Sequence, residues 1–396
     1  MSKIKNILLL VVVIGLLAIS SCMEDNNMNN DNETKEKIAV GIWHRPNVLG
    51  TETNLEGIKN TLDSFQKCGI NIVYLETVYH GMAIYKSNYL PYYTSLSKYQ
   101  YDGYRDYLSA FVSEAKKRNI EVHAWVEDFY IGISESTISK NHKEWLLLTD
   151  TGSSRQYEGN GYIFLDPANS EVTSFLINVY KELLENNQDL AGLNLDYIRY
   201  PVSSLDKDTG YTDIAKEEFL KELNIEQTNE INFKDIVKAN YNKWISYRAN
   251  KITTFVKDVR TMVKTINSKI ILSTAVFPNQ NESYITKKQD FTTWLENKYL
   301  DVVTPMAYYD DINLLENNLR AMVDSSNGIY CYTGLSCIYH HLSEKQIYEQ
   351  IDLSLKLSDG IVIFGSQMLL ENQDYIDSLN KYFKDKKYCL PHLEVK

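Results

Sequence analysis

Short apolar segments recur along the chain, each six to eight residues long and bounded by polar residues. Val, Ile, Leu and Tyr dominate them, which is typical of parallel strands that are buried on both faces. This pattern predicts eight strands: AVGIWH (39–44), INIVYLE (70–76), IEVHAWVE (120–127), LAGLNLD (190–196), IILSTAV (270–276), DVVTPMAY (301–308), IYCYTGLS (329–336) and GIVIFGS (360–366).

Between these segments the apolar residues take a helical spacing. Leu55, Ile58, Leu62 and Phe65 fall on one face of a predicted helix over 54–68. Similar stripes predict helices over 103–117, 171–186, 243–266, 291–298, 312–323, 343–357 and 370–383. Eight strands alternating with eight helices predict an α/β fold, a (β/α)8 TIM barrel. A doubly wound open sheet is the alternative, but no glycine-rich phosphate turn follows the first strand.

Two connections are long, over 77–102 and 197–242, and the second is predicted to hold a short helix at 213–223. They follow strands 2 and 4 at the carboxyl ends, where barrel enzymes place their sites. Long connections in compact domains usually have a function, so we expect both to shape a site.

The N-terminus reads as a processing segment. Lys3 and Lys5 precede an apolar run over 7–19, and small residues then lead to Cys22. This order is typical of a secretory signal, and its ending resembles a bacterial lipoprotein box in which Cys22 is lipidated. The run is too short for the ~20 residues that a transmembrane anchor, the alternative, would need.

We therefore predict three parts: a lipoprotein signal peptide over 1–22, a flexible tether over 23–37 and a single domain over 38–396. The tether is polar, rich in Asn and without apolar periodicity. Its acidic residues resemble the surface-export signal of Bacteroidetes lipoproteins. The expected location is the outer membrane, facing the periplasm or the cell surface, with the lipid as the only membrane contact.

Composition narrows the class of partner. The net charge of -11 and the lack of basic clusters argue against nucleic acid. Cys68, Cys331, Cys337 and Cys389 match no disulfide or zinc spacing and are interpreted as free thiols. No His, Cys and carboxylate cluster has metal-ligand spacing, so no cofactor and no metal are expected. The oligomeric state stays open.

Polar residues at the predicted strand ends indicate where chemistry takes place. In strand 4, Asn194 and Asp196 alternate with leucines, which places Asp196 at the barrel rim. In strand 3, His123, Trp125 and Glu127 share the inward face, so Glu127 reaches the same rim. Further candidates at or near strand ends are His44, Arg45, Glu76, Tyr79, Tyr130, Asp166, Tyr197, Arg199, Tyr200, Tyr308, Asp310, Asp311 and Gln367.

Acidic and aromatic residues gathered at one rim suit glycoside hydrolysis. One carboxylate stays ionised, while a second with a raised pKa protonates the leaving oxygen. Each residue also has a structural alternative. Asp196 and Asp166 could cap helices or turns, Glu127 and Asp310 could pair with rim arginines, and His44 could bond within the core. Arg199 is suited to bind a carboxylate or a substrate oxygen, because its planar guanidinium group can donate two parallel hydrogen bonds.

Four motifs resemble the glycosyl hydrolase-like 10 family: WVEDF (125–129), FLDPANSEV (164–172), GLNLDYIRYP (192–201) and VVTPMAYYDD (302–311). The resemblance spans 38–385 and implies a TIM-barrel glycosidase relative. It implies Asp196 as the main catalytic carboxylate and leaves the acid open among Glu127, Asp310 and Asp311. Strand 5 ends in TAVFPNQNE without a carboxylate at its tip, so the amylase arrangement is not implied.

We therefore expect an exported, lipid-anchored hydrolase of the O-glycosyl bonds of a poly- or oligosaccharide. The alternative is a glycan-binding barrel without catalysis. The two differ in the second carboxylate, which only the enzyme requires near Asp196.

Overall fold

The computed structural model describes residues 36–47, 50–226, 228, 231–336, 342–386 and 388–393. The predicted signal peptide with Cys22, most of the predicted tether, and Cys337 lie outside the described residues. The last two residues of the predicted tether, Glu36–Lys37, form a short strand parallel to Tyr388–Cys389. In the part of the chain that is described, no helix has both the length and the apolar character required to cross a bilayer.

Eight parallel strands close into a barrel, which confirms the predicted fold class. They are β1 (Ala39–His44), β2 (Ile72–Tyr79), β3 (Glu121–Glu127), β4 (Gly192–Asp196), β5 (Ile271–Val276), β6 (Val302–Pro305), β7 (Tyr330–Ser336) and β8 (Gly360–Phe364). Each strand pairs with the next along the chain, and β8 pairs with β1 to complete the ring. The doubly wound alternative is therefore excluded.

Three strands end differently from the prediction: β2, β6 and β8, the last of which stops at Phe364 instead of 366. Strand β2 continues past Glu76 to Tyr79, because the antiparallel strand Met82–Ala83 pairs with its end. A register shift between Glu76 and Val78 accompanies this extension. Strand β6 stops at Pro305 instead of 308, and the backbone turns there through a bond from the Ala307 N–H to the Pro305 carbonyl (2.9 Å).

Eight helices surround the barrel, one after each strand. They are α1 (Leu55–Lys67), α2 (Tyr107–Lys116), α3 (Ser170–Asn186), α4 (Tyr241–Ile266), α5 (Phe291–Glu296), α6 (Ile312–Ser325), α7 (Glu344–Leu357) and α8 (Gln373–Phe383). The predicted 370–383 helix is divided at Asn372, whose side chain caps α8, and Ser366–Glu371 precedes it as a separate helix.

Further helices lie in the connections. They are Thr137–Asn141, Asp213–Glu222, Phe233–Ala239 and Gln280–Lys287. The helix predicted at 213–223 is present, and the connection after β4 holds a second one that the sequence did not predict. This connection covers its own small core of Phe219, Trp244 and neighbouring residues.

Apolar side chains fill two layers. The larger core lies between the strands and the helices, where Val40, Leu193 and Val259 are buried. The smaller one lies inside the barrel and includes Trp43 and Trp125. The barrel is therefore a packed support for the side chains at its two ends.

Candidate active site

A cavity of about 470 Å³ opens at the carboxyl end of the strands, and we call it the mouth cavity. Its described lining comprises Trp43, Arg45, Trp125, Glu127, Asp196, Tyr197, Arg199, Ala275, Phe277, Met306, Tyr308 and Phe364. Most of these residues end a strand or directly follow one. A mixture of carboxylates, arginines and aromatic rings therefore lies where TIM barrels place their chemistry.

Asp196, the last residue of β4, is held by two hydrogen bonds. Its Oδ2 accepts the Trp125 indole N–H (3.0 Å), and its Oδ1 accepts the Tyr197 backbone N–H (2.7 Å). Tyr197 takes a left-handed backbone conformation (φ 51°), which is uncommon for a bulky side chain and marks a sharp turn at this carboxylate. Burial raises the pKa of Asp196, while the two donors and the charges of Arg199 and Arg45 act in the opposite direction.

Glu127 ends β3 directly beside Asp196, and the two residues are register partners in the sheet. Its side chain is 2% exposed, and Oε2 accepts the His80 backbone N–H at 2.6 Å. Burial, followed by repulsion from Glu76, raises the pKa of Glu127 well above its ordinary value, and Asp196 adds to the repulsion. A carboxyl group in this environment retains its proton more readily than one in water.

Glu76 adds a third carboxyl group beside the mouth cavity. Arg45 binds it with both arms of its guanidinium, Nε to Oε2 at 2.5 Å and Nη2 to Oε1 at 2.8 Å. The guanidinium also lies 4.4 Å from the centre of the Tyr79 ring. Burial raises the pKa of Glu76 although Arg45 opposes the shift. Arg45 and Glu76 therefore form a charged wall next to Glu127.

Asn194 lies one layer below Asp196 and is fully buried. It accepts a hydrogen bond from the Trp43 indole (3.2 Å) and donates one to the Ser273 hydroxyl (2.9 Å). These contacts fix the orientation of Trp43, which lines the mouth cavity. Asn194 supports the floor of the cavity and is not part of its described lining.

Arg199 lines the mouth cavity, and both arms of its guanidinium group already bind a carboxylate. Glu158 accepts both guanidinium arms, at 2.9 and 3.0 Å, and also the Val202 backbone N–H at 2.8 Å. The cation lies 4.9 Å from the Tyr197 ring centre and 5.4 Å from that of Phe277. Arg199 thereby ties the turn after β4 to the preceding connection and places a positive charge at the cavity wall.

Aromatic rings provide most of the remaining surface. Tyr308 stacks on Phe364 with ring centres 5.4 Å apart, and both line the mouth cavity. Tyr130 lies just outside this lining and stacks on Tyr197, with ring centres 4.4 Å apart. Flat apolar faces next to polar groups suit the faces of sugar rings.

Several predicted site residues lie away from the cavity lining. His44 is buried against α1 and α2, where it bonds Glu52 (3.0 Å) and Ser366 (2.9 Å). Asp166 is buried beneath the connection after β4, accepts the Thr212 hydroxyl (2.6 Å) and has a pKa raised to about 6 by burial. Tyr200 is buried beside Arg248.

The other outlying candidates are at the surface or at the opposite end. Asp310, Asp311 and Gln367 are exposed, and the Asp311 side chain caps α6 through the Asn313 N–H (2.7 Å). His123 faces the barrel interior near the amino end of β3. The described lining thus brings together Glu127 and Asp196 and includes neither Asp310 nor Asp311.

The cavity lining also includes residues that the sequence pattern did not indicate: Trp43, Ala275, Phe277, Met306 and Phe364. Trp43 was detectable, because strict alternation in β1 places Trp43 and Arg45 on the opposite face from His44. Phe277, Met306 and Phe364 are apolar residues at strand ends, and their spacing resembles ordinary core packing. No sequence signal indicated that Glu158 would bind Arg199.

Comparisons with known proteins show which family this chain resembles. The family described as Glycosyl hydrolase-like 10 matches residues 41–351. A "Glycosyl hydrolase YngK" of Bacillus subtilis (strain 168) is 22% identical over 332 residues, covering 76% of this chain and 59% of the relative. A "Glycosyl hydrolase DigH" of Escherichia coli (strain K12) is 22% identical over 281 residues, covering 63% of this chain and 56% of the relative. The chain therefore spans less than two thirds of these relatives.

Solved structures share the fold at low sequence identity. The catalytic domain of beta-amylase from Paenibacillus polymyxa aligns with a TM-score of 0.62 at 12% identity, covering 89% of this chain and 99% of that one. Alpha-L-fucosidase isoenzyme 2 from Paenibacillus thiaminolyticus aligns with a TM-score of 0.60 at 12% identity, covering 88% and 49%. These likenesses establish the barrel architecture.

Proposed function

The chain belongs to the glycosyl hydrolase-like 10 family, and we propose that it hydrolyses glycosidic bonds of a poly- or oligosaccharide with Asp196 and Glu127. One observation carries the proposal. The two carboxyl residues are register partners on adjacent strands, Glu127 is buried and Asp196 is half-buried, and both line the same aromatic cavity. Parallel neighbours lie about 4.8 Å apart along the sheet, so both side chains reach one bound sugar.

We assign the proton-donor role to Glu127. Burial and the neighbouring Glu76 favour its neutral form, and a neutral acid is what the leaving oxygen needs. Asp310 and Asp311, the other candidates, are exposed and outside the described lining. Glu127 lines the cavity, and its raised pKa favours the protonated form that the assigned role needs.

We assign the ionised role to Asp196. Its two hydrogen-bond donors and the nearby arginines stabilise the carboxylate against burial. In the proposed reaction Glu127 gives its proton to the glycosidic oxygen as the C–O bond breaks. Asp196 stabilises or attacks the positive anomeric carbon, or activates water. Water supplies the hydroxyl for the sugar. If Asp196 attacks, the other proton of water returns to Glu127; if Asp196 activates water, it takes that proton, and both residues regain their starting forms by proton exchange with solvent.

A glycan panel with matched variants tests the proposal. Asp196→Asn should reduce turnover about a thousand-fold, because an amide neither attacks nor accepts a proton. Asp310→Asn is the control, since this exposed carboxylate lies outside the cavity, and should cleave like the wild type. Equal cleavage by Asp196→Asn and wild type would refute the role of Asp196.

The second candidate function is glycan binding without cleavage. The stacked pair Tyr308 and Phe364 favours it, since such a surface suits a sugar whether or not chemistry follows. Binding of the same glycans by wild type and Asp196→Asn, with no product from either, would select this function.

We also propose that the protein is exported and anchored to the membrane only through lipid on Cys22. The support is the order of basic, apolar and small residues before Cys22. A carbohydrate outside the cytoplasm is then the expected substrate.

A further inference from the structure

Three side chains that could bind a metal ion meet at the end of the barrel opposite the mouth cavity. Glu121 and His123 belong to β3, and His392 lies in the short 3-10 helix Pro391–Leu393. One ligand atom from each lies within 4.8 Å of the other two. We propose that these three residues form a binding site for a divalent transition-metal ion such as Zn²⁺.

The distances between the donor atoms support this assignment. Glu121 Oε2 lies 3.1 Å from His123 Nε2 and 2.9 Å from His392 Nε2. A tetrahedral Zn²⁺ with bonds of about 2.0–2.1 Å separates its ligand atoms by about 3.3 Å. Small side-chain shifts would therefore let one ion replace the hydrogen bonds. Two imidazoles and one carboxylate are also a donor set that Zn²⁺ accepts, with water in the fourth position.

Neighbouring groups already orient both imidazoles. The Tyr332 hydroxyl lies 2.7 Å from His392 Nδ1, which directs Nε2 of that ring toward Glu121. Metal-bound histidines typically use their other ring nitrogen in this way. The His123 ring packs against Gly192, where a Cβ would lie only 2.3 Å from Nδ1. Within the described residues, this buried Nδ1 has no hydrogen-bond partner, so Nε2 carries the polar contacts of the ring.

Burial and charge also fit a metal ion. The two histidine side chains are 0% and 2% exposed, whereas that of Glu121 is 21% exposed. The carboxylate therefore provides a route by which an ion could enter from solvent. With neutral histidines the set carries one negative charge, which offsets part of the charge of a divalent ion.

The site would have a structural effect on the barrel. His392 is 271 residues from Glu121, so a shared ion would tie the end of the chain to β3. It would also hold the C-terminal segment, whose Leu390 joins the core inside the barrel. An ion here would stabilise the fold without contacting Asp196. The proposal is thus independent of the proposed hydrolase activity.

Direct metal binding by the purified full-length protein tests the proposal. After chelator treatment, titration with ZnCl₂ should show one ion per chain, and the melting temperature should rise with added Zn²⁺. His123→Ala and His392→Ala should each lower the affinity at least about 100-fold. Tyr332→Phe should lower it about 10-fold, as expected for loss of an outer-shell partner.

His142→Ala is the matched control. His142 also contacts a glutamate, Glu144 at 3.1 Å, but this pair is exposed and no third ligand joins it in the described structure. The control should bind Zn²⁺ like the wild type. If His392→Ala does not fold, His392→Gln serves instead, because it retains an N–H donor for Glu121 and lacks the imidazole.

Two results would overturn the proposal. One is the absence of stoichiometric Zn²⁺ binding to the folded wild type, which would leave the three residues as a hydrogen-bonded cluster. The other is binding that persists at wild-type strength in the folded His123 and His392 variants, which would place the ion elsewhere.

Discussion

Two acids that are register partners at the barrel mouth experience different surroundings, which is how one cavity can supply both an acid and a base. Asp196 accepts hydrogen bonds from an indole N–H and a backbone N–H. Glu127 accepts one from a backbone N–H and is repelled by the neighbouring Glu76 carboxyl group. Donors favour a charged carboxylate, and a neighbouring carboxylate opposes it. The proposed division of roles follows from these contacts.

The pH dependence of hydrolysis should report both acids. The proposed mechanism requires ionised Asp196 and protonated Glu127. It should therefore fall on the acid side as Asp196 takes up a proton and on the alkaline side as Glu127 loses one. Because burial raises both pKa values, the maximum should be shifted upward from that of exposed carboxyl groups.

Glu127→Gln should lower the rate about 100- to 10,000-fold and remove the alkaline limb of the kcat profile. Substrates with acidic phenol leaving groups should be affected much less, since they depart without a proton. An unchanged alkaline limb in Glu127→Gln would assign the acid role to another residue.

The same substitution should stabilise the fold at high pH. The folded-state pKa of Glu127 is raised, so the folded protein binds this proton more tightly than the unfolded chain. That contribution is complete below the ordinary glutamate pKa and disappears as pH rises through the folded value. An uncharged Gln avoids the cost of a buried charge while its carbonyl can still accept the His80 N–H.

Melting temperatures measured from pH 4 to 8 provide the test. Glu127→Gln should melt higher than the wild type at pH 8, with the difference shrinking toward pH 4. Glu349→Gln, on an exposed helical surface near Lys345, should show no such trend. A uniform decrease for Glu127→Gln at every pH would show that Glu127 lacks the raised folded-state pKa on which its assigned role depends.

Among the elements, the connection after β4 is the one whose sequence gave the least indication of its structure. It was predicted to hold one short helix, yet it packs two helices over a core of its own. Asp208 and Arg248 form an ion pair beneath it, 2.8 Å apart and with both side chains fully buried. Asp208 also accepts the Trp244 indole N–H at 3.0 Å.

Asp208→Ala should therefore lower the free energy of unfolding by about 3–5 kcal/mol, because it leaves the Arg248 charge buried and unpaired. Glu185→Ala removes the exposed helical pair with Lys181 and should cost less than about 0.5 kcal/mol. Denaturant unfolding of both variants gives the comparison. Similar small losses would show that water reaches Arg248.

Periodicity predicts elements well where burial repeats regularly. All eight strands and the barrel helices were identified from it, because each strand is a short and mostly apolar run and each helix is apolar on one face. It fails where one residue interrupts a pattern. Pro305 ends β6 early, and Asn372 divides the last predicted helix by capping its second half.

For the molecule as a whole, the contacts that build the site join distant parts of the chain. Strand alternation predicted that Glu127 and Asp196 share a rim, since both end neighbouring strands. It could not predict that Glu158 binds Arg199, 41 residues away, or that His392 forms a hydrogen bond with Glu121 at the other end of the barrel. Such pairings depend on how connections fold back, which local spacing does not encode.

The placement of the protein in the cell is a further property of the whole chain. If Cys22 carries lipid, the barrel is attached to a membrane by the segment before residue 38, and anchoring should depend on this one thiol. Two membrane-binding signals, such as two acyl chains, hold a protein stably at a membrane, whereas the polar tether has no apolar surface that could insert into the bilayer.

Cys22→Ser should therefore shift the protein from the membrane fraction to the soluble fraction while leaving the melting temperature unchanged. Cys389→Ser, near the opposite end of the chain, is the control and should remain in the membrane fraction. Retention of Cys22→Ser in the membrane would show that something other than lipid on this residue anchors the barrel.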